Sequence, residues 1–459
     1  MALIVALSCF VIGASAASAN FTIEDGVLLS YSGDSSEITV PGEVYRISDG
    51  VFEGNTSLKS VTLPSSVIEI GNRAFYGCSS LVEVKGGENV YSVGSLCFEK
   101  TPYFFESTEE FFTLGKTLLW YNGDSAEVTL PQGISAIAPY AFLRSSTLGS
   151  FSATDDLTMI GEGAFYECTH LSRLSISESV EFIDAYAFFG TPYQAQAGEY
   201  VILGKGILTA YNGSDTDLTI PNNVRAIAPR TFYGNADIEK VSLPSSVYTV
   251  GRQAFAQCSK IEELSLSTGL VHIGEEAFLN NTSLKKLSFP STTSLIGKGA
   301  FLNCSSLEEL SLCGTSLSVS YGAFSYCSSL KTVLMSDGVA SVYDRAFYRC
   351  NALKAVSVSG ETLRIPASAF SSCPKFLLCS DPASFAARAL SGVSILDRVK
   401  GDSDRDGVLS VLDATYIQKY MASLATLGFE GKAASDIDYD GYVSVLDATR
   451  IQKILANLV

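Results

Sequence analysis

The sequence contains few of the residues on which most enzyme active sites depend. Among 459 residues there are only two histidines, His170 and His272, and a single tryptophan, Trp120. Neither histidine has an evident serine or cysteine partner in the sequence. Nucleophile-elbow, zinc-protease and phosphate-loop motifs are also missing. These absences argue against a catalytic function. A catalytic pair of carboxylates among the 48 acidic residues is the alternative that the sequence leaves open.

Positive charge and long apolar runs are also scarce. The chain has 31 Lys and Arg against 48 Asp and Glu, for a formal net charge of -17. This balance argues against nucleic acid and anionic membrane surfaces as partners.

Beyond residue 19, no apolar run approaches the ~20 residues that a transmembrane span needs. Residues 1–19 are small and apolar and end in Ala17-Ser18-Ala19, which predicts a secretory signal peptide and an extracellular protein.

A dipeptide ending in phenylalanine, usually Ala-Phe, recurs every 23 residues through most of the chain. Two longer gaps and the region before the first phenylalanine each contain a further repeat unit that lacks the phenylalanine. With these three units, the chain has about 16 repeat units of 21–23 residues, here called rungs. Near-alternating Leu and Val in each rung predict a short strand. Since one rung cannot bury its apolar face alone, rungs must stack. The phenylalanines are Phe52, Phe75, Phe98, Phe142, Phe165, Phe188, Phe232, Phe255, Phe278, Phe301, Phe324, Phe347 and Phe370.

Seven of the 11 cysteines occupy one position of the repeat, three residues after the phenylalanine. Such regularity indicates a core position instead of a disulfide framework. A small, weakly polar side chain there is expected to meet backbone groups of the turns inside the stack. The cysteines are Cys78, Cys168, Cys258, Cys304, Cys327, Cys350 and Cys373, and asparagine replaces them at Asn55, Asn235 and Asn281.

The repeat resembles the leucine-rich repeat of the BspA-like type, found in surface and secreted proteins of bacteria and some protists. The resemblance implies a β-rich solenoid at residues 20–380, with a C-terminal cap and linker at 381–400. It also implies binding or adhesion, with a protein, a glycan or a host surface as the ligand. Trp120 replaces Ser30 and Ala210 of the corresponding 90-residue blocks. Trp120 is therefore the best single candidate for an exposed contact with that ligand.

Charged pairs alternate in sign between successive rungs of this repeat. They are Glu262-Glu263, Lys285-Lys286 and Glu308-Glu309. Stacking would bring opposite charges together across neighbouring strands. The sequence therefore predicts ion pairs that fix the register of the rungs.

Two acidic segments near the C-terminus have the spacing of 12-residue calcium loops. They read DSDRDGVLSVLD from Asp402 and DIDYDGYVSVLD from Asp436. Calcium prefers six to eight oxygen ligands, which this spacing supplies. Two calcium ions are predicted, with ligands from Asp402, Asp404, Asp406, Val408, Ser410 and Asp413, and from Asp436, Asp438, Asp440, Tyr442, Ser444 and Asp447.

Each loop runs directly into an amphipathic helix start, VLDATYIQK or VLDATRIQK. This duplicated loop-helix layout resembles a type I dockerin, and implies a small all-α, calcium-binding domain at residues 401–459. The resemblance implies a cohesin module of a scaffoldin as partner. The implied contacts are Val411, Leu412, Thr415, Gln418, Lys419, Val445, Leu446, Thr449, Gln452 and Lys453.

The Val-Leu pair in each copy departs from the hydroxyl residues of many dockerins. It implies a more apolar contact and a different cohesin class, while packing within the dockerin is the alternative for Val411 and Leu412. Together these features predict a secreted, non-catalytic binding module of a cellulosome-like, polysaccharide-degrading complex. The alternatives are an enzyme or inhibitor acting within the complex, with a part in polysaccharide catabolism, and a structural spacer.

Overall fold

The computed structural model describes residues 20–314, 316–336, 338–358, 364–374, 376–379, 395–396, 411–422 and 443–455. The predicted signal peptide, most of the predicted cap and linker and most of both calcium loops lie outside these residues. The chain divides into two compact units, Met1–Gln196 and Ala197–Val459.

The first unit is built from short strands joined by tight turns. Its strands are β1 (Phe21–Glu24), β2 (Val27–Tyr31), β3 (Glu37–Thr39), β4 (Arg46–Ile47), β5 (Ser60–Leu63), β6 (Glu69–Ile70), β7 (Glu83–Gly86), β8 (Ser92–Val93), β9 (Phe111–Leu114), β10 (Thr117–Tyr121), β11 (Glu127–Thr129), β12 (Ala136–Ile137), β13 (Ser150–Ser152), β14 (Met159–Ile160), β15 (Arg173–Ser175) and β16 (Phe182–Ile183). Two short helices, α1 (Pro102–Phe105) and α2 (Pro192–Gln196), complete it.

The second unit continues the same pattern and ends in two longer helices, α3 (Val411–Met421) and α4 (Val445–Leu455). Its strands are β17 (Tyr200–Leu203), β18 (Ile207–Tyr211), β19 (Asp217–Thr219), β20 (Ala226–Ile227), β21 (Lys240–Ser242), β22 (Thr249–Val250), β23 (Glu263–Ser265), β24 (His272–Ile273), β25 (Lys286–Ser288), β26 (Leu295–Ile296), β27 (Glu309–Leu312), β28 (Leu317–Val319), β29 (Thr332–Met335), β30 (Val339–Val342), β31 (Ala355–Val358), β32 (Phe376–Cys379) and β33 (Ile395–Leu396). A 3-10 helix spans Ala367–Phe370.

Most rungs contribute two strands, which belong to different sheets of mainly parallel strands. The predicted Leu-x-Leu strands pair with one another, as where Val61 pairs with Val84. A second, shorter strand of each rung pairs in a separate sheet, as where Ile47 pairs with Ile70. Both pairings join residues 23 positions apart, which is the period of the sequence. The stacking prediction is thus confirmed, and the sheets of shorter strands are an addition to it.

Each 90-residue block opens with an antiparallel hairpin, which the sequence did not predict. In the hairpins, Phe21 pairs with Tyr31, Phe111 with Tyr121 and Tyr200 with Tyr211. The second strand of each hairpin then starts the parallel stack. The solenoid consequently has about 14 turns, where the sequence predicted about 16 rungs. The number 16 treats the three rungs without phenylalanine as complete turns. In the structure, these rungs join the parallel stack through the second strand of each hairpin.

The repeated phenylalanines form columns of stacked rings in the core. Phe52 and Phe75 have ring centroids 4.8 Å apart and an interplanar angle of 9°. Phe255 and Phe278 are 5.2 Å apart and nearly parallel, at 1°. At the start of this column, Tyr211 takes the place of the missing phenylalanine against Phe232. Offset-stacked aromatic pairs add to the stabilisation from burial.

The repeat cysteines bind the backbone of neighbouring rungs, as the sequence predicted. In all seven, the thiol donates to a phenylalanine carbonyl 26 residues earlier; the Cys78 Sγ, for example, lies 3.0 Å from the Phe52 oxygen. Asn281 makes the same bond through its side-chain amide to the Phe255 oxygen. Disulfides are absent among the described cysteines. The thiols therefore satisfy carbonyl groups inside the stack.

Burial should make most of these thiols unreactive in the folded protein. It raises the pKa of Cys258 and of Cys327 to about 12, so little thiolate exists at pH 8. Among the cysteines whose burial the structure describes, we expect iodoacetamide at pH 8 to modify the half-buried Cys313 and Cys373 before the buried ones. Mass spectrometry of peptides, with a urea-unfolded sample as control, would measure the order. Equal modification rates at buried and half-buried cysteines would contradict this packing.

The predicted ion pairs between rungs are also present. Lys285 lies 2.7 Å from Glu262, and Lys286 lies 3.1 Å from Glu309. The hydrogen bond from Lys285 lowers the pKa of Glu262. All four side chains are exposed, so solvent weakens each pair. Their position across neighbouring strands supports the predicted role in register.

Candidate functional site

The helices α3 and α4 pack against each other through identical residues of the two copies. Ala414 and Ile417 of α3 and Ala448 and Ile451 of α4 are fully buried in one apolar cluster. Their spacing of three residues places each pair on one face of its helix. The repeated nine-residue sequence therefore supplies both halves of a small apolar core.

The predicted cohesin contacts lie mostly on the solvent side of this helix pair. Leu412 is 63% exposed and Leu446 is 66% exposed. Gln418, Lys419, Thr449, Gln452 and Lys453 are exposed, and Thr415 is half-buried. The side chains of Val411 and Val445 lie outside the described residues. Most of the Leu412 side chain is therefore accessible to solvent.

Ser444 and Asp447 form the start of α4. The Ser444 Oγ accepts a hydrogen bond from the Leu446 backbone N–H at 3.0 Å. In return, an Asp447 carboxylate oxygen accepts from the Ser444 backbone N–H at 2.7 Å. This reciprocal arrangement is a capping box, which stabilises the first turn of a helix. Asp447 is fully buried, which is costly for a charged group unless it is compensated.

Two family models match the chain. The model for the BspA type leucine-rich repeat region matches residues 22–109, 119–195, 209–331 and 296–380, which is more than half of the chain. The chain belongs to this family. The model for the type I dockerin domain matches residues 400–456. A BspA-type solenoid is thus followed by a C-terminal dockerin, as both resemblances indicated.

Solved structures similar to this BspA-type chain include other leucine-rich-repeat proteins. The pneumococcal vaccine antigen PcpA is 18% identical, with 82% of this chain and 95% of that chain covered and a TM-score of 0.34. A leucine-rich-repeat protein from Eubacterium ventriosum is 20% identical, with 79% and 96% covered and a TM-score of 0.30. A leucine-rich cell surface protein from Faecalibacterium prausnitzii is 21% identical, with 81% and 95% covered and a TM-score of 0.26. The search of curated proteins found no match.

Type I dockerins are calcium-binding domains, and the described part of this dockerin fits such an ion. Calcium needs oxygen ligands, and Asp447 provides a buried carboxylate that contacts the backbone of Ser444, a second predicted ligand. A bound cation would offset the cost of burying that negative charge. The side chain of Asp413 and the donors Asp402, Asp404, Asp406, Val408, Ser410, Asp436, Asp438, Asp440 and Tyr442 lie outside the described residues. In each loop, calcium would supply the positive charge that offsets the repulsion between neighbouring carboxylates.

Trp120 of the solenoid is less exposed than the sequence predicted. It is half-buried, and its ring meets the Phe104 ring edge-on at 5.8 Å. Phe104 belongs to α1, a helix that begins at Pro102 after the N-cap Thr101. Because this contact joins residues 16 positions apart, the comparison of 90-residue blocks did not reveal it. Trp120 keeps a partly accessible ring and stays a candidate ligand contact.

Among the described residues, no helix is both long and apolar enough to cross a membrane. The same residues contain no group of three acidic, histidine or cysteine side chains suited to a metal ion. His170 and His272 are both exposed. The exposed residues of the α3–α4 helix pair and the surface of the solenoid are the candidate functional sites.

Proposed function

We propose that this chain is a secreted, non-catalytic binding protein that its dockerin attaches to a cellulosome-like, polysaccharide-degrading complex. The observation that carries the proposal is the duplicated helix pair, with its shared apolar core and its two exposed leucines. A dockerin implies assembly through cohesin, and leucine-rich repeats suggest binding of a ligand. Residues 1–19 would direct secretion, and two calcium ions would hold the loops of the dockerin.

The solenoid would present a ligand-binding surface to the complex. Its polar strand positions, its ion pairs and Trp120 are consistent with a protein or glycan ligand. A glycan array and a protein pull-down with the calcium-loaded chain would test this part of the proposal. Binding to either class supports it, and binding to neither favours a structural spacer.

A second candidate is an enzyme or inhibitor that acts within the complex. Its support is the large number of carboxylates, which could include a catalytic pair. Release of reducing sugars from plant polysaccharides by the purified chain would measure such an activity. A reproducible release that exceeds a denatured control would contradict the non-catalytic proposal.

The two copies of the dockerin helix should be able to replace each other at the cohesin. Each copy exposes a leucine at the same place, and the near-identity of the two sequences implies a pseudo-twofold relation between the copies. We expect Leu412→Ala or Leu446→Ala alone to change cohesin affinity little. If either copy can face the cohesin, each single variant still leaves one intact leucine contact. The double variant removes the apolar contact from both copies and should raise the Kd about tenfold or more. Isothermal titration calorimetry with a cohesin that binds the unmodified chain would measure the affinity of each variant.

Met421→Ala is a matched control for these variants. Met421 is an exposed apolar residue of the same helix but lies outside the proposed contacts. Its replacement should leave the affinity unchanged. Loss of binding in only one of the two single leucine variants would mean that the duplication serves structure alone.

A further inference from the structure

Two successive turns of the second unit carry a cluster of tyrosine and arginine side chains on their outer surface. The cluster, here called the tyrosine–arginine patch, consists of Tyr321, Tyr326, Arg345, Tyr348 and Arg349. Tyr321 and Tyr326 are 44% and 42% exposed, and both arginines are exposed. These residues flank the buried Phe324 and Phe347, so their backbone rests on the rigid aromatic core.

The tyrosine rings hold the two guanidinium groups in place. The Arg345 guanidinium lies 6.0 Å from the Tyr321 ring centroid and 5.6 Å from that of Tyr348. It also donates a hydrogen bond to the Tyr321 hydroxyl at 3.1 Å. The Arg349 guanidinium lies 5.6 Å from the Tyr326 ring and 5.3 Å from the Tyr348 ring. Cation–π contacts of this kind orient arginine without neutralising its charge.

The two arginines differ from several others in the solenoid, because no carboxylate pairs with them among the described residues. Arg46 pairs with Glu69, Arg144 with Glu167 and Arg173 with Glu127. Arg345 and Arg349 have ring and hydroxyl partners instead. The neighbouring carboxylate of Asp344 accepts a hydrogen bond from Ser368. The patch thus presents two oriented positive charges on a chain with a net charge of -17.

This combination favours an anionic ligand that also has a flat apolar face. A guanidinium can donate two parallel hydrogen bonds to one carboxylate. The exposed tyrosine rings offer apolar surface beside these donors. An acidic sugar ring supplies both features, since it carries a carboxylate and a face of C–H groups. The negative charge of the chain as a whole disfavours anion binding that lacks such specific donors.

We propose that the tyrosine–arginine patch binds a uronic-acid-containing polysaccharide. The choice of a polysaccharide rests on the proposed function, whereas the choice of an acidic ligand rests on the patch itself. Arg345 and Arg349 bind the carboxylates of the sugar chain, and Tyr321 and Tyr326 contact the sugar rings. The solenoid would then bring the complex to acidic regions of a polysaccharide.

Calorimetry with short, soluble oligogalacturonides would test the proposal on the full chain. We expect binding that weakens with added salt, and no comparable binding of neutral cello-oligosaccharides. The double variant Arg345→Gln, Arg349→Gln should raise the Kd about tenfold or more. Arg144→Gln is the matched control, because it removes an exposed arginine that already has a carboxylate partner. Circular dichroism would establish that each variant is folded.

Several results would overturn the proposal. They are the absence of oligogalacturonide binding, unchanged affinity in the double arginine variant, or an equal loss in Arg144→Gln. Loss of affinity in Trp120→Ala alone would place the sugar at Trp120 instead. Equal affinity for poly-glutamate would identify an acidic peptide as the ligand class and would also overturn it. Cohesin binding, measured on the same preparation, reports separately on the proposed function.

Discussion

Removal of calcium with a chelator is expected to abolish cohesin binding by this chain and to unfold residues 401–459. A calcium loop with the predicted ligands Asp402, Asp404, Asp406 and Asp413 would bring these carboxylates around one point, where they would repel one another without a cation. In small metal-binding domains, the free energy of metal binding is part of the free energy of folding. The buried cluster of Ala414, Ile417, Ala448 and Ile451 is too small to replace it.

The solenoid should keep its structure in the same experiment. Its stacked core contains none of the predicted calcium ligands, and Trp120, the only tryptophan, reports on it. We expect unchanged tryptophan fluorescence in chelator, a loss of helical signal in circular dichroism, and recovery when calcium is restored. Unchanged cohesin affinity in chelator would contradict the calcium-dependent dockerin.

Replacement of a phenylalanine in the middle of the column should cause the largest loss of stability. Phe301 is fully buried and stacks on Phe278 at 4.9 Å and on Phe324 at 5.3 Å. Phe301→Ala removes a ring from both neighbours and leaves a cavity, which typically costs about 3–5 kcal/mol. In a stacked repeat, the loss should weaken the adjacent rungs first. Hydrogen exchange of the backbone amides in residues 278–324 would measure this local loss of stability.

Phe105→Ala is the control for this substitution. Phe105 is 65% exposed, so its loss should change the free energy of unfolding by less than about 0.5 kcal/mol. Similar exchange rates in the two variants would show that the stacked column does not stabilise the solenoid.

The sequence predicted the stacked core because its pattern repeats in register. A residue that recurs every 23 positions, such as Phe255 and Phe278, must meet its copies if each repeat forms one turn. The same argument predicted the hydrogen bonds of the cysteines and the ion pair between Lys285 and Glu262. A short periodic signal repeated many times is stronger than any single segment of it.

Features that break the period could not be predicted in the same way. The hairpin that pairs Phe111 with Tyr121 depends on a chain reversal that occurs once in each 90-residue block. The contact of Trp120 with Phe104 depends on the helix α1, which replaces part of a regular rung. The shorter strand of most rungs has only two residues, such as Arg46–Ile47, which is too short to show an alternating pattern.

The duplicated C-terminal helices were predictable for a related reason. Two nearly identical nine-residue segments give two helices with the same buried face, so Ala414 and Ile417 meet Ala448 and Ile451. Which residues remain outside, such as Leu412, depends on how the helices pack. The capping box of Ser444 and Asp447 likewise required the structure, because sequence alone assigned both residues to calcium.

The central claim is that residues 401–459 attach the solenoid to a cohesin-bearing scaffold. The most direct test is size-exclusion chromatography with light scattering, using the calcium-loaded chain and a panel of cohesin modules. We predict a one-to-one complex with at least one cohesin, and none when residues 401–459 are deleted. Failure to bind any cohesin of the panel, or a complex that persists after the deletion, would contradict the claim.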